Sequence, residues 1–471
     1  MPRPIATLLL LCVSSWIFCQ TTTLEGYVEV YPQGDQTSLF LGVAAGMDQN
    51  LTAGRSNTFV GYRSGRDITT GSNNTFFGRS AGQFSTIESN NTFVGKGAGQ
   101  FNDGSSNSFF GTDAGMSNDA SNNSFFGAEA GKENQAGTNN SFFGRAAGRE
   151  NTSGSSNTFM GQEAGLKTVS GGRNTFIGTQ SGRFNTIGEE NTIVGAFGSP
   201  MSLTASRNVL IGFQAGFDNS TGDDNTIVGH LAGANVTEAD KSVFVGKSAG
   251  GSTTEGNFNT FIGHEAGLSN TEGLENVALG DEAGKANTTG NSNVFLGTES
   301  GIHVKGSGNV ILGANAGPTS QAGNISDRLY IDNNVSNSPL IYGEFNNNLV
   351  RINGSLNVTN GITGTFNGSS DVHLKEEFEP INPQDILYKL STLSLSEWQY
   401  IGTSERHIGP MAQDFYAAFG LGQGDTIIAT VDADGVLIAA IQALVEENEK
   451  LRKQNGDILR RLSSLEEGLS E

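Results

Sequence analysis

A short phrase of polar and apolar positions recurs along most of the chain, from about residue 39 to residue 317. Most copies consist of Asn, a Ser, Thr or Val, two apolar residues and Gly, as in residues 74–78 and 91–95. The final glycine recurs mostly every 17 residues, sometimes every 16 and once after 19, and a second glycine usually follows four residues later. A period this regular is typical of repeat proteins whose units stack on one another.

The unit is too short and too rich in glycine for a pair of helices, because a glycine inside a helix costs about 1 kcal/mol. Gly, Asn and Ser favour turns, so the pattern predicts a mostly β fold, a thin parallel β-solenoid or β-roll with one or two short strands per coil. About seventeen coils at ~4.8 Å each would make a rod on the order of 80 Å long. The Asn before each strand is replaced only at Ser38 and Ser242, which predicts a ladder of amide-to-amide hydrogen bonds.

The two apolar residues of each phrase, such as Phe76 and Phe77, cannot both point into a thin coil, because neighbours on a strand face opposite sides. One residue of each pair would therefore form a long apolar stripe on the outside, beyond what soluble monomers usually expose. We predict that this face is buried against other copies of the chain in a three-fold rod. The alternative is a monomeric solenoid whose irregular coils bury both residues.

The phrase resembles the head repeats of trimeric autotransporter adhesins, which form left-handed parallel β-rolls in trimers. The period is longer here and Phe is commoner, so the resemblance implies the architecture rather than its detail. The glycine-rich aspartate phrase of calcium-binding β-rolls and the flat Thr arrays of ice-binding solenoids do not occur in the sequence.

The composition of the chain indicates its class and limits the partners that it can bind. Only 16% of the residues are charged and 66 of 471 are glycine, which fits a solenoid better than a compact enzyme. The formal charge of -21 opposes binding to nucleic acid or anionic lipid, since both need clustered Lys and Arg. The five histidines form no metal-ligand pair at useful spacing, so we expect no metal site and no cofactor.

The first twenty residues read as a secretory signal peptide, with Arg3 as the positive start and an apolar run over residues 6–18. That run is too short to span a bilayer. Residues 21–38 are expected to cap the solenoid. The only cysteines, Cys12 and Cys19, lie in the signal peptide, so the mature chain would have no disulfide. The sequence therefore predicts a secreted or cell-surface protein without a transmembrane segment in the mature chain.

The repeat gives way at residue 318 to short strand patterns, and we interpret residues 318–369 as a β stalk. Residues 370–435 carry more charge and helix signals and predict a small α+β domain, with residues 432–435 as a turn before the next helix. Residues 436–471 predict a coiled coil. One core position holds Leu437, Leu444, Leu451, Ile458 and Leu465, and the other holds Ile441, Asn448, Asn455, Leu462 and Leu469. The alternative is a lone amphipathic helix lying on the domain.

The order of residues 370–375, residues 406–414 and a C-terminal coil resembles the intramolecular chaperone, auto-processing domain of phage tail fibres, tail spikes and endosialidases, also found in the myelin regulatory factor. The resemblance implies a domain that drives trimer assembly and then cuts itself off with a serine–lysine dyad. Carried over to this sequence, Ser370 would be the nucleophile and Lys375 the base. The scissile bond would join Ser369 to Ser370.

This chemistry needs a neutral lysine, and burial is what makes a lysine neutral. A Ser and a Lys five residues apart also occur by chance, so a solvated Ser370 and a surface Lys375 are the alternative. His373 stands where the family usually has Arg. His407 and Gln413 are candidate supporting residues, with a structural role favoured for His407.

We therefore predict a secreted or cell-surface, trimeric, adhesin-like or tail-fibre-like protein. It would be at most a single-turnover, self-cleaving serine endopeptidase. Its partners would be its own copies and a cell-surface or glycan receptor. The alternatives are a phage-type fibre or spike that binds a host glycan, and the same fibre with an inactive, retained chaperone domain.

Overall fold

The computed structural model describes residues 38–50, 56–201, 203–319, 324–356, 358, 371–402, 404–422 and 424–469. The chain divides between residues 357 and 358 into two compact units. The predicted signal peptide and nearly all of the predicted N-terminal cap lie outside the described residues, and so do Ser369 and Ser370.

The first unit is a parallel β-solenoid, which confirms the predicted fold class, with one strand of three residues in each coil. Neighbouring strands pair in register, so that Phe76 lies beside Phe93 one coil further on. The strands are β1 (Leu39–Leu41), β2 (Thr58–Val60), β3 (Thr75–Phe77), β4 (Thr92–Val94), β5 (Ser108–Phe110), β6 (Ser124–Phe126), β7 (Ser141–Phe143), β8 (Thr158–Met160), β9 (Thr175–Ile177), β10 (Thr192–Val194), β11 (Val209–Ile211), β12 (Thr226–Val228), β13 (Val243–Val245), β14 (Thr260–Ile262), β15 (Val277–Leu279), β16 (Val294–Leu296) and β17 (Val310–Leu312).

The middle residue of each strand fills the core and its two neighbours point outward, as alternation on a strand requires. Phe76 is fully buried, whereas Phe77 is 57% exposed. From Phe40 to Phe176 the buried rings stack face to face, with centroids 4.6–5.1 Å apart. Since a buried Phe contributes about 3–5 kcal/mol over Ala, this column is a main source of the rod's stability.

Nearly every coil has two glycines, the one that ends the phrase and the one four residues later, and a side chain is excluded at each for a different steric reason. Gly144, at φ 140°, passes so close to the next coil that a Cβ would lie 2.3 Å from the carbonyl oxygen of Gly161. Gly148, at φ 56°, faces the core, and a Cβ there would lie 2.4 Å from the ring of Phe142. Ser199 replaces the second glycine once, and the core residue of that coil is the smaller Ile193.

The predicted Asn ladder is present, but most of its hydrogen bonds run from amide to backbone. The backbone N–H of Asn74 donates to Oδ1 of Asn57 over 2.9 Å, and Nδ2 of Asn74 donates to the carbonyl oxygen of Glu88 over 2.8 Å. A buried backbone N–H needs a partner, and this arrangement supplies one in each coil. Amide-to-amide bonds of 2.6–2.8 Å link a second row, formed by Asn102, Asn118, Asn134 and Asn151.

Three further strands continue the sheet beyond the last coil. They are β18 (Arg328–Ile331), β19 (Ile341–Glu344) and β20 (Leu349–Ile352). β18 pairs in parallel with β17, while β19 and β20 pair antiparallel. We call β18–β20 the end sheet; it occupies part of the predicted stalk.

The second unit is a small α+β region that ends in a long helix, as predicted. It contains α1 (Pro383–Thr392), the antiparallel strands β21 (Ser396–Trp398) and β22 (His407–Gly409), α2 (Ala412–Phe419) and α3 (Thr430–Leu469). Residues 432–435, expected to form a turn, lie inside α3, so that expectation was wrong. Among the described residues no helix combines the length and apolar character needed to cross a bilayer.

Candidate functional site

The segment that would carry the dyad is described from Asp371 onward. A short 3-10 turn spans Val372–Leu374, and the Asp371 carboxylate accepts hydrogen bonds from the His373 backbone N–H over 3.0 Å and from its Nδ1 over 2.9 Å. These bonds, the backbone one first, lower the pKa of Asp371. Lys375 follows the turn and is exposed to solvent in the single chain.

The two other candidate residues lie near an aromatic cluster. The ring of His407, on β22, packs 4.7 Å from Trp398 and 5.6 Å from Tyr400. Gln413 and the same two aromatic residues line an open cavity of about 510 Å³, together with Met411. The ring of His407 thus packs among aromatic side chains and His373 pairs with Asp371. The supporting role of His373, His407 and Gln413 stays a prediction.

The second unit has a small core and a large apolar surface. Within its described residues, the buried apolar side chains are Phe415, Val436, Ala439, Ala440 and Ala443. By contrast, Tyr388 of α1 and four large side chains of the β21–β22 region are exposed, namely Leu395, Tyr400, Ile401 and Ile408. Nε1 of Trp398 is buried without a hydrogen-bond partner among the described residues. Such a surface in a soluble protein indicates an interaction site.

Helix α3 has two apolar faces. Helix α1 packs against the face formed by Val436, Ala439, Ala440 and Ala443, where Gln384 Nε2 donates to the Ala443 carbonyl oxygen over 3.4 Å. We call the other face the seam. It contains the apolar residues of the predicted heptads, which are 49–86% exposed: Leu437, Ile441, Leu444, Leu451, Ile458, Leu462, Leu465 and Leu469. A helix lying on its own domain would cover this face, but within the described chain it is uncovered.

The solenoid carries a second uncovered apolar surface, which we call the outer stripe. It consists of the third residue of each strand from β2 to β17: Val60, Phe77, Val94, Phe110, Phe126, Phe143, Met160, Ile177, Val194, Ile211, Val228, Val245, Ile262, Leu279, Leu296 and Leu312. All of them are exposed or half-buried. Rings of the outer stripe also stack, with Phe126 lying 4.7 Å from Phe110 and 4.8 Å from Phe143.

One polar cluster was missed by the sequence reasoning. His264, Glu265 and Glu282 bring potential metal-ligand atoms within 4.8 Å of one another. The coils place residues 17 apart side by side, so adding the repeat period to Glu265 would have brought Glu282 next to the His264–Glu265 pair. Nζ of Lys285 lies 2.5 Å from Glu265 and 2.9 Å from Glu282. The cluster is therefore a network of ion pairs in which one ammonium group bridges two carboxylates.

Residues 370–420 match the family model described as chaperone of endosialidase. The match confirms the predicted resemblance and contains the candidate residues His373, Lys375, His407 and Gln413. Searches among curated proteins and among solved structures find no match to the chain. The family is associated with trimer assembly, and its domain behind a β-solenoid rod fits a tail-fibre-like trimeric protein.

Proposed function

We propose that this protein is an exported, trimeric, tail-fibre-like protein whose C-terminal unit drives assembly and then cuts itself free between Ser369 and Ser370. The observation that carries the proposal is the seam of α3, uncovered in a unit whose own core is small. The outer stripe supports it independently, because it faces solvent along the whole solenoid.

The free energy gained by burying the seam is similar in size to the free-energy cost of association. Full burial of a Leu or Ile side chain gives about 1.5–3 kcal/mol, so burying the remaining half of the eight seam residues would give on the order of 6–12 kcal/mol per chain. Bringing two chains together costs about 4–15 kcal/mol. The outer stripe adds further apolar area, so the two surfaces together favour association.

The cleavage would proceed through an ester. Ser370 Oγ attacks the carbonyl carbon of Ser369 while the neutral amine of Lys375 takes the hydroxyl proton. The peptide C–N bond breaks, and the proton passes to the departing amine of Ser370. Water then hydrolyses the ester and releases a carboxylate on Ser369. Since Lys375 is exposed in the single chain, neighbouring copies would have to bury it to favour the neutral amine, so cleavage would follow assembly.

The test is to express the mature chain beside Ser370→Ala and Lys375→Arg variants. Ser369→Ala is the matched control, because it changes the adjacent residue and keeps the nucleophile. We expect a C-terminal fragment of about a hundred residues on a denaturing gel for the native chain and the control only. Intact chains throughout would refute self-cleavage and favour a retained chaperone domain. A monomeric mass by light scattering would refute the trimer.

Export and receptor binding are further parts of the proposal. The apolar run of residues 6–18 behind Arg3 supports export, and deleting residues 1–20 should retain the protein inside the expressing cell. For a fibre outside the cell, the partner we propose is a cell-surface or glycan receptor. Labelled rod should then bind whole cells, and unchanged binding after glycosidase treatment would rule out a glycan.

A further inference from the structure

The outer stripe leaves the alignment of three parallel rods along their length unspecified. Every coil from β2 to β17 presents an apolar residue, Val, Phe, Met, Ile or Leu, at this position, and neighbouring coils lie about 4.8 Å apart. If one rod slid past another by one coil, all but the terminal coils would still meet apolar side chains. An apolar surface that repeats in this way gives affinity without register, just as uniform strands slip in a sheet.

The end sheet breaks this repetition. Pairing places Leu329 and Ile331 of β18 on the same side as Val310 and Leu312, in line with the outer stripe. The antiparallel partners then extend that side with Ile341 of β19 and with Val350 and Ile352 of β20. The stripe therefore widens at one end into a sheet face that no coil repeats.

This face is apolar and open. Val350 is 66% and Ile352 37% exposed, and Leu329, Ile331 and Ile341 are half-buried. Arg351 points to the opposite side, with its guanidinium 5.6 Å from the centre of the Tyr342 ring. A cationic residue on an edge strand opposes strand-to-strand pairing, so the face of the sheet is the surface available for contact.

We infer that the outward face of the end sheet is a contact between copies of this chain that sets the register of the rods. The inference rests on the proposed trimer and on the continuity of this face with the outer stripe. It also follows from the proposed cleavage, which would remove the seam of α3 together with residues 370–471. An aperiodic contact that keeps the rods aligned must then lie before residue 370, as the end sheet does.

The experiment uses Val350→Asp/Ile352→Asp, which places two charges on the outward face. Arg351→Thr changes the same strand on its other side and is the matched control. Because the mature chain would have no cysteine, each copy can carry one new thiol in the outer stripe, at Leu279 or at Leu296. Two differently tagged chains are co-expressed and oxidised. A disulfide requires Cβ atoms about 3.5–4.5 Å apart, less than one coil spacing.

In the native chain and in Arg351→Thr, we expect aligned disulfides between two Leu279→Cys chains to exceed offset disulfides between Leu279→Cys and Leu296→Cys. In the double Asp variant the offset product should rise to a yield similar to the aligned one. A trimeric double variant that keeps the native pattern would overturn the inference and leave the proposed function intact. A native chain that is monomeric by light scattering would overturn the proposed function itself. Should the double Asp variant fail to fold, Val350→Thr/Ile352→Thr gives the same comparison with β-branched residues.

Discussion

The Asn ladder gives the sharpest test of how the coils are held together, and Asn140 is a suitable position. Its side chain makes two buried hydrogen bonds. Nδ2 donates to the carbonyl oxygen of Gly154 over 2.8 Å, and Oδ1 accepts from the backbone N–H of Asn157 over 2.9 Å. Asn140→Ala leaves both backbone groups without these partners. Each such loss costs about 1–3 kcal/mol, so we expect a total of ~2–6 kcal/mol.

Asn140→Ser should fall between Ala and the native residue. Ser242 occupies this row naturally, and its hydroxyl oxygen accepts from the backbone N–H of Asn259 over 3.2 Å. A serine at position 140 would keep an acceptor and lose the donor to Gly154. We therefore expect about half the cost of the alanine variant.

Hydrogen exchange measures the effect coil by coil. A loss of 2 kcal/mol corresponds to roughly a 30-fold loss of protection, since 1.4 kcal/mol is tenfold. We expect it in peptides that cover residues 139–160, with residues 259–280 unaffected. The control is Asn139→Ser, at an exposed left-handed turn position where Ser106 and Ser156 stand in other coils. If Asn140→Ala were as well protected as Asn139→Ser, the ladder would not hold the coils together.

Three further predictions test the core, the turns and pH. Phe142→Ala should destabilise the rod by about 3–5 kcal/mol, whereas Phe143→Ala, one residue along in the outer stripe, should mainly weaken association; equal unfolding midpoints would contradict this. Gly148→Ala should lower the free energy of unfolding by about 2–5 kcal/mol, because the backbone there is left-handed and the new methyl group would meet the Phe142 ring. Gly435→Ala is the contrasting change: it lies in α3 with open space around it and should raise helix stability in thermal melts. Burial raises the pKa of Glu88, so the folded state binds the proton more tightly than the unfolded state does. The free energy of unfolding should therefore fall as the pH rises from the ordinary pKa of a glutamate to the raised pKa of Glu88. Glu88→Gln should accordingly be more stable than the native rod at pH 7, and this advantage should vanish in denaturant titrations at acidic pH.

The sequence was sufficient to predict the solenoid because its two controlling features are local. The spacing of glycines such as Gly144 and Gly148 sets the coil, and alternation on a strand decides that Phe76 is buried and Phe77 is not. The partners of the Asn side chains were predicted less well, because they depend on the path of the next turn. The same holds for Lys285, whose carboxylate partners come from two different coils.

The candidate site was predicted from the order of its motifs along the chain, not from which side chains lie close together in space. The family match confirms the resemblance over residues 370–420. Periodicity could not reveal that His407 packs with Trp398 and Tyr400, because that cluster depends on how the β21–β22 hairpin turns. The two faces of α3 differ for a similar reason. The heptads identify the seam, but only the fold shows that α1 covers the alanine face and leaves the seam uncovered.

The glycine pair also determines where the rod can change its length. The spacing from the Asn to the first glycine is constant, and so is the spacing from the first glycine to the second. Coils of 16, 17 and 19 residues therefore differ in length only in the turn between the second glycine and the next Asn. A foreign peptide inserted in that turn should be carried on the rod's side without disturbing the strands. Duplicating one whole unit should lengthen the rod by a single step of about 4.8 Å, so its reach is set by the number of units in the gene.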